Sequence, residues 1–79
     1  MRWQPSNDYY IELAGPQITV YEQADSKSKI AAMTPKEMTR VSTDYSIAGL
    51  NDEGPYWHVH HFEKGLYFWG FIHNNDIKQ

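Results

Sequence analysis

The chain has 79 residues, a formal net charge of −3 and no cysteine. A chain of this length forms one small domain, and without cysteine neither disulfides nor a thiolate zinc site can supplement its core. Seven Lys and Arg residues spread along the chain exclude the basic footprint of a nucleic-acid binder, and no apolar run approaches the roughly 20 residues of a membrane span.

The first part of the chain alternates short β-forming runs with turns. Met1–Asp8 has the composition of a loop or a frayed terminus. Two short strands are predicted at Tyr9–Leu13 and Ile18–Tyr21, with the turn signal Ala14-Gly15-Pro16 between them. Glu22–Lys29 is polar and has no apolar residues at helical spacing, which predicts a long loop.

The middle of the chain predicts two further strands, Ile30–Met33 and Met38–Thr43. A helix from Ser28 to Arg40 is the alternative. Pro35 would lie in the middle of that helix and cost it about 3 kcal/mol, so strands are favoured.

The segment Asp44–Pro55 has the composition of a loop, although Tyr45 and Ile47 allow a short strand at its start. Near the C-terminus, Asn74–Asp76 predicts a single turn. Ile77 then returns an apolar side chain to the core.

Between these segments lies Pro55–His73, which holds seven of the twelve aromatic residues and all four histidines. It reads as two strands joined by a Lys64-Gly65 turn, because Gly65 can adopt the positive φ that such a turn needs. With a two-residue loop, the strands alternate between two faces. The predicted core face carries Trp57, Val59, His61, Phe68, Gly70 and Ile72. The other face carries Tyr56, His58, His60, Phe62, Tyr67, Trp69, Phe71 and His73.

Short strands, Gly- and Pro-rich turns and no helix predict an all-β fold, a small five- to six-stranded barrel. We divide the chain into an N-terminal segment, residues 1–17, whose short strand packs on the barrel, and the barrel itself, residues 18–79.

Five segments of the barrel region follow the strand order of a known family. They are Ile18-Thr19-Val20-Tyr21, Lys29-Ile30, Met38–Val41, Tyr56-Trp57-His58-Val59 and Gly70–Ile77, the last covering a strand, a short 3₁₀ turn and a final apolar residue. In this order they resemble the bacterial Src-homology-3-like domains, with Tyr56 at the family's Trp. The resemblance implies a Src-homology-3-like barrel that recognises ligands: peptidoglycan peptides in cell-wall-directed proteins, and other proteins or peptides elsewhere.

The chain departs from the family pattern at three places. Tyr21 replaces the usual Arg, Gln23-Ala24 replaces a Gly-Pro, and Glu37 takes a turn position usually held by Gly. We therefore expect the long loop, and any inherited ligand pocket, to be reshaped.

The aromatic face of the hairpin predicts binding, because exposed apolar patches mark interaction sites and Trp and Tyr are enriched at hot spots. The alternative is that the rest of the domain covers this face. Polar specificity is expected from the loops Glu22–Lys29 and Asn51–Pro55. The predicted ligand-binding residues are Tyr21, Tyr56, His58, His60, Phe62, Tyr67, Trp69 and Phe71.

The histidines are the only cluster suited to metal chemistry. His58 and His60 share a face, as two ligands of one ion would, whereas His73 comes close only if the hairpin pairs differently or the ion lies beyond the strand end. We predict no metal site and no cofactor, with a small histidine-based metal-binding protein and a pH-dependent interface as alternatives. His61 falls on the core face, where it should be neutral and hydrogen-bonded.

The sequence carries no cysteine nucleophile, Gly-x-Ser-x-Gly elbow or Gly-rich phosphate loop, so we predict a protein that is not an enzyme. The predicted function is binding of a protein or peptide through the aromatic face, as in a stand-alone intracellular inhibitor or adaptor carried by a phage or mobile element. A peptidoglycan-targeting domain is the alternative, and a homodimer through the aromatic face is a further arrangement.

The N-terminus has no apolar signal-peptide region. We expect a cytoplasmic protein if the chain is complete, and an extracellular or cell-wall location if it is an excised domain.

Overall fold

A computed structural model describes residues 9–63 and 65–78 of the chain. Its strands are β1 (Tyr9–Glu12), β2 (Thr19–Tyr21), β3 (Ile30–Met33), β4 (Arg40–Ala48), β5 (Pro55–Glu63) and β6 (Leu66–His73), followed by a 3₁₀ turn at Asn74–Asp76. They form one antiparallel sheet of order β1-β4-β5-β6-β2-β3. The all-β prediction is confirmed. The sheet is not closed, and the predicted loop Met1–Asp8 lies outside the described residues.

In the described part of the chain, one hydrophobic core lies against one face of the sheet. Val59 and Ile72, which the sequence places on the core face, are completely buried, as is Val20 of β2. Members of this core come from β2, β4, β5 and β6 and from residues that lie just outside the strands. The buried members are Leu13, Ile18, Val20, Val41, Val59, Phe68, Ile72 and Ile77.

The C-terminal residues join the core beside β1. Ile77 is buried, as predicted, and forms an isolated antiparallel bridge with Leu13. The Lys78 N–H donates to the Glu12 carbonyl at 2.8 Å. The chain segment that follows β6 therefore lies against the end of β1, the strand at one edge of the sheet.

The β5–β6 hairpin has the register that the two-residue turn predicts. Glu63 pairs with Leu66 and Val59 pairs with Gly70, and Gly65 has a φ of 77°. Gly70 is required by a close approach, because a Cβ at this position would lie 2.7 Å from Cγ1 of Val20. Strand β2 therefore packs directly on the backbone of β6.

The prediction of a loop over Asp44–Pro55 is wrong in its first half, where β4 continues to Ala48. Tyr45 and Ile47, the alternative short strand, pair with β5. The register shifts between Thr43 and Tyr45, which makes Asp44 the extra residue of a β-bulge. The bulge interrupts the two-residue alternation on which recognition of a strand from sequence depends.

The other element boundaries differ from the predictions by a few residues. The strand at Ile30–Met33 is as predicted, whereas Met38 lies in a turn and donates its N–H to the Pro35 carbonyl at 3.1 Å. No helix in the described part of the chain is long and apolar enough to cross a membrane.

Candidate functional site

The eight residues predicted to bind a ligand lie on the outer face of the sheet, opposite the core. The β5–β6 register places seven of them there, and Tyr21 joins them because it pairs with Phe71. Their exposure divides them into three groups, of which the half-buried one contains Tyr21, His58, His60 and Phe71. Phe62, Tyr67 and Trp69 are 57%, 67% and 60% exposed and form what we call the aromatic patch. Tyr56 is completely buried.

Tyr56 lies in a polar pocket, defined here by Tyr56, Glu53, Ser26 and His73, beside a cavity of about 430 Å³. The Tyr56 hydroxyl donates to Oε1 of Glu53 at 2.9 Å. Burial, followed by this hydrogen bond to a carboxylate, raises the pKa of Tyr56 to about 12. Its hydroxyl is thus engaged within the protein, and its ring packs edge-on to the rings of Tyr21 and His73.

The Glu53 carboxylate is the centre of the polar pocket. The Ser26 hydroxyl donates to Oε2, and the Ser26 N–H donates to Oε1 at 3.0 Å. These two hydrogen bonds hold the pKa of Glu53 below its usual value of 4.5. His73 accepts the Asn75 N–H at Nδ1 at 3.0 Å, which leaves Nε2 to donate to the Glu53 carbonyl.

The two loops predicted to give polar specificity are held together by these contacts. Besides the Ser26–Glu53 pair, Asn51 Nδ2 donates to Oδ1 of Asp25 at 2.9 Å. The Leu50 N–H donates to the carbonyl of Ala24, also at 2.9 Å, and Ala24 is buried. Many of the polar groups of the two loops are therefore engaged in hydrogen bonds that hold the loops together.

His58 lies at the centre of a ring cluster between the polar pocket and the aromatic patch. Its Nδ1 is 2.7 Å from Oδ1 of Asp44, the bulged residue of β4. Its ring stacks on Tyr45 at 4.8 Å and meets the edge of Phe71 at 5.0 Å. The bulge places the carboxylate beside the imidazole, a contact that the loop assignment from sequence missed.

The remaining histidines are divided between the two faces of the sheet. His60 stacks on Phe62 at a centroid distance of 5.8 Å on the outer face. His61 lies on the core side as predicted, but at the half-buried end of the hairpin, where its ring stacks on Phe68 at 5.5 Å. The described residues contain no group of three or more His, Cys, Asp or Glu side chains arranged to hold a metal ion.

The aromatic patch borders a groove of about 660 Å³ between the hairpin and the β2–β3 unit. Ile30 on the opposite wall is 60% exposed. This volume lies within the range of ligand sites, and six of the eight lining residues are apolar or aromatic. The lining residues are Glu22, Gln23, Ile30, Ala31, Phe62, Tyr67, Phe68 and Trp69.

Comparisons with models of protein families, with curated proteins and with solved structures find no match to this chain. The resemblance to the bacterial Src-homology-3-like domains therefore stays a prediction from sequence. The site is defined by its own geometry: an exposed aromatic patch beside a groove, and a polar pocket whose groups are hydrogen-bonded to one another.

Proposed function

We propose that this chain is a non-enzymatic binding module that recognises a protein or peptide through the aromatic patch. The observation that carries the proposal is the exposure of Phe62, Tyr67 and Trp69 together on one face at the end of one hairpin. A domain of 79 residues has a small core and needs most of its large aromatic rings to fill it. Contiguous rings that are nevertheless exposed mark interaction surfaces.

The division of the predicted site supports this assignment. In the polar pocket, the Tyr56 hydroxyl and the Glu53 carboxylate are hydrogen-bonded within the protein. The aromatic patch is the part of the predicted set whose rings are largely free for contact with a partner. We further propose that the six-stranded sheet forms a Src-homology-3-like barrel, for which the bridge between Leu13 and Ile77 offers support.

Truncation of one exposed ring tests the function. Trp69→Ala should lower affinity by roughly 30-fold or more, as expected for an interface hot spot, and change the free energy of unfolding by less than about 0.5 kcal/mol. Tyr9→Ala is the matched control, since Tyr9 is 69% exposed on the distant strand β1.

The wild type and both variants are immobilised and offered peptidoglycan sacculi or a cell lysate in parallel. Retention by the wild type and the Tyr9 variant, with loss in the Trp69 variant, is the expected result. The arm that shows it distinguishes a cell-wall ligand from a protein ligand. If Phe62, Tyr67 and Trp69 can each be truncated without loss of retention, the aromatic patch is not the binding surface.

A further inference from the structure

The turn end of the β5–β6 hairpin extends beyond the strands on either side of it. Strand β4 pairs with β5 as far as His60, and β2 pairs with β6 only at Phe71. Within residues 9–63 and 65–78, the edge of β6 from Leu66 to Trp69 therefore has no strand paired with it. Open strand edges usually avoid pairing because they carry proline or charged residues. None of the four residues from Leu66 to Trp69 is a proline or a charged residue.

The register shows which backbone groups this edge presents. Glu63 and Leu66 close a two-residue turn and so form a hydrogen-bonded pair, and the two pair types alternate from there. Tyr67 and Trp69 fall in the other type, whose N–H and C=O groups point away from β5. Phe71 belongs to the same series and meets Tyr21 of β2 on that side. Two N–H donors and two C=O acceptors thus face the groove.

Strand β2 marks the line that an added strand would follow. It runs antiparallel to β6 and leaves the edge after Tyr21, where the Glu22 N–H turns to the Lys29 carbonyl at 2.9 Å. Beyond that point the groove lies open along Tyr67 and Trp69. A segment in this position would continue the line of β2 and place alternate side chains on the aromatic patch.

We propose that this edge receives an extended, positively charged segment of a partner protein, which adds a strand antiparallel to β6. The inference rests on the proposed function and names the form of its ligand. Pairing supplies affinity through the backbone of Tyr67 and Trp69, and the aromatic patch supplies contacts to side chains. Among the described residues that line the groove, Glu22 is the only charged one, which favours a Lys or Arg in the segment.

A second copy of the chain fits this edge less well than a basic segment. Each copy carries a net charge of −3, so two copies repel each other where a basic segment is attracted. In addition, β6 of a second copy would bring β5 with it along its other edge. A single strand in line with β2 brings no second strand with it and therefore needs less space beside β6.

Backbone methylation of a peptide tests the proposal directly. The probe is the acetylated and amidated peptide Lys-Val-Thr-Val-Thr-Val-Lys, with one isomer N-methylated at the first two valines and another at the two threonines. In a strand, the backbone N–H groups of alternate residues point to the same neighbouring strand. The isomer whose methyl groups replace the N–H hydrogens that face β6 should therefore bind about tenfold or more weakly than the parent, and the other isomer should keep the parent's affinity. Equal affinity of the two isomers overturns the proposal, as does no binding of the parent at millimolar concentration.

Amide hydrogen exchange in the full chain locates the added strand. Saturation with the parent peptide should slow exchange of the Tyr67 and Trp69 N–H groups at least about tenfold. Binding that leaves these two amides unprotected overturns strand addition, while the proposed function is judged separately by the ring truncations. Protection that grows with protein concentration in the absence of peptide identifies a second copy as the occupant and also overturns the proposal.

Charge reversal tests the chemistry of the segment. Glu22→Lys should lower the affinity for the Lys-capped peptide by roughly two- to fivefold or more at low ionic strength. The same substitution should raise the affinity for a counterpart peptide capped with Glu. Glu12→Lys is the matched control, because it makes the same charge change on β1 and should have a smaller effect. If the two variants have equal effects, the preference for a basic peptide arises from the net charge of the protein alone, and the role of Glu22 is overturned.

Discussion

Replacing Tyr56 with phenylalanine removes one hydroxyl from the polar pocket and leaves the buried ring in place. The hydroxyl donates to Glu53 at 2.9 Å, and hydrogen bonds to charged groups contribute about 1.5–3 kcal/mol. Glu53 Oε1 also accepts from the Ser26 N–H, so it keeps a partner in the variant. We therefore expect the lower end of the range, a loss of about 1.5 kcal/mol at neutral pH.

A loss of this size is measurable in so small a domain. A chain of 79 residues is expected to have a free energy of unfolding of roughly 4–12 kcal/mol, and each kcal/mol lowers the Tm by about 4–8 °C. Tyr56→Phe should thus lower the Tm by about 6–12 °C. Tyr45→Phe is the control, because Tyr45 is 46% exposed on the adjacent strand and should lose little stability.

The raised pKa of Tyr56 makes the effect depend on pH. A pKa of about 12 in the folded state against 10.0 in the unfolded chain means that the neutral hydroxyl stabilises the fold below pH 10. The contribution is lost as pH rises from 10 towards 12, and about 1.4 kcal/mol of it is gone by about pH 11. At that pH the wild type and Tyr56→Phe should be about equally stable.

Urea unfolding of both proteins at a series of pH values measures this convergence. The difference in unfolding free energy should shrink above pH 10 and vanish near pH 11. A difference below about 0.5 kcal/mol at neutral pH, or one that stays constant through pH 11, would refute the view that a buried hydroxyl–carboxylate contact stabilises the pocket.

Three further substitutions test the fold and the pocket. Gly70→Ala should cost about 1–3 kcal/mol because its Cβ would meet β2, whereas Gly15→Ala, with nothing within 4 Å, should be nearly neutral in the same denaturation assay. Thr34→Val keeps the volume of a buried side chain but removes the acceptor of the Ile18 N–H, so urea unfolding should show a loss of about 1–3 kcal/mol. Glu53→Gln tests the lowered pKa of Glu53: the ionised carboxylate stabilises the fold above pH 4.5, and the stability difference from wild type should shrink as pH falls below that value. An acid-independent difference would contradict the contribution assigned to the Glu53 charge.

The sequence predicts most where local rules suffice. Gly65 marks the turn, and the two-residue period then assigns every side chain of β5 and β6 to a face, so the register and the burial of Val59 and Ile72 follow. The short 3₁₀ turn and the return of Ile77 to the core are local in the same sense.

The sequence predicts least where distant segments meet. Period two places Tyr56 and Trp69 on the same face, yet one is completely buried and the other is 60% exposed. The difference arises because Ser26 and Glu53, from two separate loops, close over Tyr56. The bulge at Asp44 was missed for a related reason, since one inserted residue shifts the alternation and only the pairing with β5 shows that the strand continues.

The two ends of the hairpin therefore differ in what a substitution can affect. At the end near Tyr56, strands and loops cover the outer face, and a change there alters folding before it alters recognition. At the turn end, the neighbouring strands stop short and the exposed rings contribute little to the core. A domain with so small a core can tolerate sequence change at the turn end at little cost in stability. Affinity and stability should thus vary independently along the same two strands, with affinity concentrated at Tyr67 and Trp69 and stability at Tyr56.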